Sequence, residues 1–248
     1  MNNNTNQTNF GFKKILLEQK EKLVKEVFSS VSNKYDIMND LMSFATHRLW
    51  KKHLVNLMIN TKINTLLDVG GGTADIALEF IKKGGKKAVV LDINEDMLNV
   101  GREKVANAGY QSSFDFICAN AEQLPFESNN IEMYSSSFCL RNVTNLEQAI
   151  KEAHRVLKSG GKFFCLEFSK VNNPLLEKAY DFWSFYGIPI IGKYVANNKQ
   201  AYEYLVESIR KFPNQEDFAS IIKAEGFVNV GYENIFNGIA SIHFATKK

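Results

Sequence analysis

A short apolar run, TLLDV (65–69), stops at three consecutive glycines, Gly70-Gly71-Gly72, and apolar residues then recur at helical spacing from Thr73 to Lys83. Strand, glycine turn and helix in that order leave few architectures open. A helix that follows a strand covers the sheet face, and the next strand then runs parallel to the first. The chain repeats this alternation. KAVVLDI (87–93) reads as a strand, Glu95 to Ala108 as a helix, and FDFICAN (114–120) and IEMYSSSF (131–138) as strands. Leu146 to Leu157 then reads as a helix and KFFCLEF (162–168) as a strand. Such a pattern predicts an α/β fold, with a parallel sheet covered on both faces.

The C-terminal end departs from the alternation. Gln215 to Ala224 is helical, and FVNVGYENI and GIASIHFAT follow as strands with only Phe236-Asn237 between them. A connection that short forces an antiparallel pair, since a parallel crossover needs a dozen or more residues. The expected sheet is therefore Rossmann-like, seven-stranded and mostly parallel, with a C-terminal antiparallel hairpin. Residues 13–62 read as an N-terminal helical cap, with apolar positions at Leu16, Leu23, Val24, Val27, Leu49, Leu54 and Leu57. Residues 171–212 read as a helical insertion, and 1–12 as a disordered Asn/Thr-rich tail. One domain, 13–248, accounts for the rest.

Charge and cysteine content exclude several classes. A formal net charge of +3 is too small to imply nucleic-acid binding, and no basic groove with interleaved aromatics is evident. Between Lys13 and Lys62, ten Lys/Arg stand against five Asp/Glu, a local basic excess that suits an anionic surface or, more commonly, a solvated helix face. Cys118, Cys139 and Cys165 are isolated and the four histidines scattered, so neither a disulfide framework nor a metal site is expected. No stretch approaches the roughly 20 apolar residues that span a bilayer. The expected location is cytoplasmic, with the inner membrane face as a peripheral contact.

In a sheet of this kind ligands bind beyond the carboxyl ends of the strands. Asp68 and Asp75 bracket the first loop, where Gly70 and Gly72 permit a tight turn and close approach of a ligand, and Thr73 opens the helix. Asp92 closes the next strand twenty residues after Gly72, near the spacing of a carboxylate that accepts from ribose hydroxyls. Its structural alternative is a helix N-cap, a role Asn94 can also fill. Asn120-Ala121 follows the third strand, suited to adenine, and Ser135 to Asn142, including Ser137, follows the fourth. A dinucleotide fingerprint wants glycine or alanine where this chain has Asp75. Carboxylates at the loop repel a pyrophosphate but suit a sulfonium and an ammonium, which favours S-adenosylmethionine.

KYDIMNDLMSFATHRLWK, LLDVGGGTAD, LDINEDMLNVGREK, NAEQLPF, SFCLRNVTN, HRVLKSGGKFFCLEFSK and YLVESIRKFP occur in that order, and in them the chain resembles the ubiquinone/menaquinone biosynthesis C-methyltransferases. The resemblance spans nearly everything after about residue 25. It implies a class I methyltransferase fold and methylation of a ring carbon on a polyprenylated benzoquinol or naphthoquinol. It also implies donor contacts at Thr73, Asp92, Asn120, Ala121 and Ser137. That loop usually reads GGTGD, whereas this chain has Ala74 in place of the last glycine. Alanine is harmless there if the residue lies in the first helical turn, which is the expectation.

Ring methylation needs a phenolate, and hence a base or a stabilising cation. Arg141 is the first candidate for that cation, with Asn142 its neighbour; a surface salt bridge is the alternative. His47 is the second candidate, as general base, against capping or packing. Tyr180, Trp183, Tyr186 and Tyr202 are candidates for a quinol pocket, although aromatic residues at such spacing more often belong to a core. Phe182 to Tyr194 suits a prenyl tail or a bilayer surface. A quinone-synthesis complex and a homodimer are further expected partners. The rivals are an NAD-dependent oxidoreductase, a non-enzymatic donor-binding subunit of such a complex, and an RNA methyltransferase.

Overall fold

Seven strands form one sheet in the computed structural model, which describes residues 7–31, 39–40, 43, 45–171, 173–187 and 199–248. Numbered from the N-terminus, β1 (Gln7–Phe10) and β2 (Lys13–Leu16) make a separate hairpin. The large sheet comprises β3 (Thr65–Val69), β4 (Lys87–Asp92), β5 (Phe114–Cys118), β6 (Ile131–Ser137), β7 (Leu157–Phe168), β8 (Phe227–Ile235) and β9 (Ala240–Lys247). Its order is β5-β4-β3-β6-β7-β9-β8. The first five strands pair in parallel, while β9 runs antiparallel to both β7 and β8. The strand order reverses between β3 and β6, so the crevice between their carboxyl ends is the switch point.

The sheet is buried on both faces because apolar residues occupy both sides of each central strand. Leu66, Val90 and Phe164 join one core cluster with Trp50, Leu54 and Met58 of α2 (Thr46–Asn60) and Phe80 of α3 (Asp75–Lys82). Their neighbours Leu67, Leu91 and Phe163 join a second cluster, with Ile150 of α5 (Leu146–Val156) and Phe218 of α8 (Gln215–Ala224). That alternation follows from the two-residue period of a strand. Asn94, Asn145 and Asn214 cap α4 (Glu95–Asn107), α5 and α8 by accepting backbone N–H bonds.

The N-terminal expectations need correction. Residues 7–10 are a strand rather than tail, and 13–16 a strand rather than the start of a helix; α1 begins after them, at Leu17–Val31. A lone two-stranded hairpin is marginal in water. This one is held from outside, because Phe10 stacks on Tyr204 of α7 (Lys199–Lys211) at 4.2 Å between centroids and the Phe12 N–H donates to Glu207 at 3.0 Å. Polar composition gave no hint of a distant docking partner. In the insertion, α6 (Pro174–Phe182) runs into a π turn at Trp183–Gly187. Residues 1–6, the KYD motif at 34–36 and the part of the Phe182 to Tyr194 segment beyond 187 lie outside the described residues.

Candidate active site

A cavity opens at the carboxyl ends of β3, β4, β5 and β6, lined by Asp68, Gly70, Gly72, Thr73, Asp92, Asn120, Ala121, Ser137 and Asn142 among others. Gly70 has φ 68°, and a Cβ there would sit 2.1 Å from Cys139 Sγ, so only glycine fits. Every donor-binding residue expected from the sequence meets in this one space. Helix α1 closes it from above with Glu21, Val24, Lys25 and Phe28.

Asp92 is fixed by the backbone. Gly72 N–H donates to Oδ2 at 3.0 Å and Asn94 N–H to Oδ1 at 2.9 Å. Asn94 takes the N-cap position itself, which frees Asp92 for the cavity. Burial pushes the Asp92 carboxyl up to about 6, against the pull of its backbone donors. Asp68 is 1% exposed; its Oδ1 accepts from Ser135 Oγ at 2.6 Å and its Oδ2 has no hydrogen-bond partner among the described residues. Burial pushes it up to about 7, with Ser135 and Lys51 opposing. Ser137 Oγ is likewise buried without a partner among the described residues. The Asn120 side chain is committed, donating to Glu21 at 3.0 Å and accepting from Glu122 N–H at 2.8 Å. Its backbone is what remains for a base.

Ala74 overturns one expectation. It is the residue before α3 rather than part of its first turn, it has φ 64° and ψ 25°, and it is fully buried. A left-handed alanine costs about 1–2 kcal/mol. Its methyl packs in the core with Ile76 and Ala77, and such burial returns about 0.8 kcal/mol. Alanine is tolerated there by packing, not by helical conformation.

Arg141 is neither on the surface nor in the cavity lining. Its side chain is 4% exposed and its Nη1 donates to Glu167, which is fully buried, at 2.8 Å. The guanidinium also lies over the rings of Phe138 and Phe168, at 5.8 and 5.5 Å. Asn142, which does line the cavity, accepts from the Tyr204 hydroxyl at 3.0 Å. His47 sits in the first turn of α2, 4% exposed, with Nδ1 2.8 Å from Ser43 Oγ and outside the cavity lining. Burial, helped by Lys51, lowers its pKa to about 4, so the ring is neutral and weakly basic. A buried, weakly basic ring outside the cavity lining suits packing rather than a general base.

Of the aromatic candidates, Tyr202 is buried in a cluster with Leu205, Val206 and Trp183, and the Tyr180 ring lies under Arg210 at 5.1 Å. Tyr186 is largely exposed. None of the four lines the cavity. Sequence reading missed Glu167, Tyr204, Lys51 and the α1 residues. Glu167 carried a signal as a charge inside the otherwise apolar KFFCLEF, and Lys51 and Tyr204 as the end of HRLWK and the start of YLVESIRKFP.

The ubiE/COQ5 methyltransferase family matches residues 16–247. A mitochondrial 2-methoxy-6-polyprenyl-1,4-benzoquinol methylase of Dictyostelium discoideum is 46% identical over 275 residues, covering 99% of this chain and 88% of that one. The ubiquinone/menaquinone biosynthesis C-methyltransferase UbiE of Brucella abortus (strain S19) is 49% identical over 242 residues, covering 96% of this chain and 90% of that one. Among solved structures, a SAM-dependent methyltransferase of Thermotoga maritima matches with TM-score 0.65 at 18% identity, covering 90% of this chain and 99% of that one. Phosphoethanolamine N-methyltransferase 2 of Haemonchus contortus, solved with S-adenosyl-L-methionine, matches with TM-score 0.53 at 17% identity, covering 75% and 49%. These two establish a shared fold and nothing finer.

Proposed function

This chain belongs to the ubiE/COQ5 methyltransferase family and is an S-adenosylmethionine-dependent methyltransferase, and from that premise we propose that it methylates a ring carbon of a polyprenylated quinol. The substrate is a benzoquinol of ubiquinone synthesis, a demethylmenaquinol, or both in turn. The observation that carries the reading is the pair of carboxyls in the cavity wall, Asp68 with its Oδ2 unpartnered among the described residues and a backbone-held Asp92, which suit a cationic nucleoside and repel a pyrophosphate. Asp92 holds the ribose, the Asn120 backbone and Ala121 the adenine, and Asp68, Thr73 and Ser137 the amino-acid end. When bound, the donor supplies an electrophilic methyl on its sulfonium.

The chain's own task is to position the ring and ease its ionisation. Asn142 presents its amide in the cavity wall, braced by Tyr204 and by the Phe138 carbonyl. Arg141 acts from behind that wall. Burial raises the pKa of both Tyr204 and Tyr180, and the Arg141 charge opposes that rise in each case, offset in part at Tyr204 by Glu167. The same field favours the phenolate of a quinol placed nearby. Purified enzyme with labelled donor should transfer label to a demethylated quinol; absence of transfer to both quinol nuclei refutes the activity.

Cofactor affinity should depend on pH through the two raised carboxyls. In the free protein Asp68 and Asp92 hold protons below about 7 and 6, and a ligand that needs the carboxylates must displace them. Affinity for S-adenosylhomocysteine should fall as pH drops from 8 to 5.5, with proton release on binding; a flat profile refutes their role. The linkage has the opposite sign for the free protein. A raised folded pKa gives stability that is present below about 4 and lost as pH rises through 6 to 7.

A membrane surface is the second element of the reading. Leu175, Phe182, Phe185 and Tyr186 are exposed by 80, 69, 41 and 62% on one stretch of the insertion. No described helix is long and apolar enough to cross a membrane. A prenylated substrate resides in the bilayer, and an exposed apolar stretch beside α7 suits contact with it. Replacing Phe182, Phe185 and Tyr186 by serine should reduce co-sedimentation with lipid vesicles; unchanged partitioning removes the membrane role.

A further inference from the structure

Three strand ends lie side by side along the cavity in the order β5, β4, β3. Asn120 and Ala121 follow β5, Asp92 closes β4, and Asp68 lies in β3, so a nucleoside anchored at β5 and β4 leaves its amino-acid end at β3. At that end stands a cation, the last residue of HRLWK. Lys51 of α2 lines the cavity with a side chain only 12% exposed and donates to Asp75 Oδ2 at 2.6 Å. That is its hydrogen bond among the described residues, whereas an ammonium carries three donors.

Asp75 is shared. Lys104 donates to the other oxygen of the same carboxylate. Burial alone would raise the Asp75 carboxyl, yet Lys51 and Lys104 outweigh it and hold the group well below the usual range. The Lys51 charge is close enough to Asp68 to act on its ionisation. Asp68 also lines the cavity, and its Oδ2 lacks a hydrogen-bond partner among the described residues. Other lining cations are few. Lys25 of α1 pairs with Glu21 at 2.9 Å and acts on Cys118 at the end of β5, the opposite end.

We propose that Lys51 binds the α-carboxylate of the methyl donor, opposite Asp68, which takes its α-ammonium, so that the two residues read the zwitterion. This rests on the methyl-donor reading above. The carboxylate accepts from the Lys51 donors that Asp75 leaves unused.

The test is calorimetric binding of S-adenosylhomocysteine and of its decarboxylated counterpart to the full chain. Wild type should prefer the carboxylated ligand about 10- to 100-fold, the range of a charge-assisted bond lost. Lys51→Met should abolish that preference by weakening only the carboxylated ligand, Lys51→Arg should keep part of it, and Lys25→Met should keep all of it. A preference that survives in Lys51→Met, or equal loss of both ligands there with Lys51→Arg unimpaired, overturns the assignment. Failure of wild type to bind either ligand refutes the methyl-donor reading itself.

Discussion

Asp92→Ala should weaken S-adenosylhomocysteine binding about 100-fold and leave thermal stability nearly unchanged at neutral pH. The affinity loss follows from removing a carboxylate that accepts from ribose hydroxyls, at about 1.5–3 kcal/mol for each bond to a charged group. Stability is spared because burial raises the Asp92 carboxyl to about 6, so its ionised form costs stability in the folded protein at pH 7 and its removal relieves that cost. The bonds from Gly72 and Asn94 offset part of that burial, and their loss is the small cost expected. Calorimetry on the variant, beside a thermal melt, measures both. Binding within threefold of wild type would sink the ribose assignment.

Glu167→Ala should do the reverse, lowering stability by about 3–5 kcal/mol and the melting temperature by about 10 °C. It strands the Arg141 guanidinium in a site where its side chain is 4% exposed. Arginine keeps its charge, so it cannot escape by losing a proton. Arg141→Met should cost less, because burial already raises the Glu167 carboxyl and the group left behind can take up a proton. Combining Arg141→Met with Glu167→Leu should recover most of the stability, since apolar replacements of a buried pair are often neutral. Turnover should not recover: both Arg141→Met and the double variant should lose about 100-fold in kcat with donor affinity intact. A double variant with wild-type kcat would make the pair purely structural.

The two predictions separate what each residue disclosed in the sequence. Asp92 was legible because its position depends on local rules: a strand ends, a loop follows, and a carboxylate stands at a set distance from a glycine turn. Asn94 as helix cap was readable in the same way. Arg141 was legible as a charged residue just past a strand, but not its partner. Glu167 lies on β7, and only the pairing of β6 with β7 brings the two ends together. Tyr204, sixty-two residues beyond Asn142, was chosen by the docking of α7 rather than by any spacing.

The strands of the large sheet, their direction, the closing hairpin and the meeting of the candidate donor-binding residues at their ends were determined by the sequence, because turn chemistry and hydrophobic period act over a few residues. Tertiary structure alone decided the hairpin at residues 7–16, the closure of the cavity by α1, the buried pair behind Asn142 and the placing of Lys51 against Asp75. It also decided that Ala74 stands in the left-handed region, held there by the core around its methyl. Each of these depends on which distant surface covers a segment, and that is settled by packing between elements far apart in the chain.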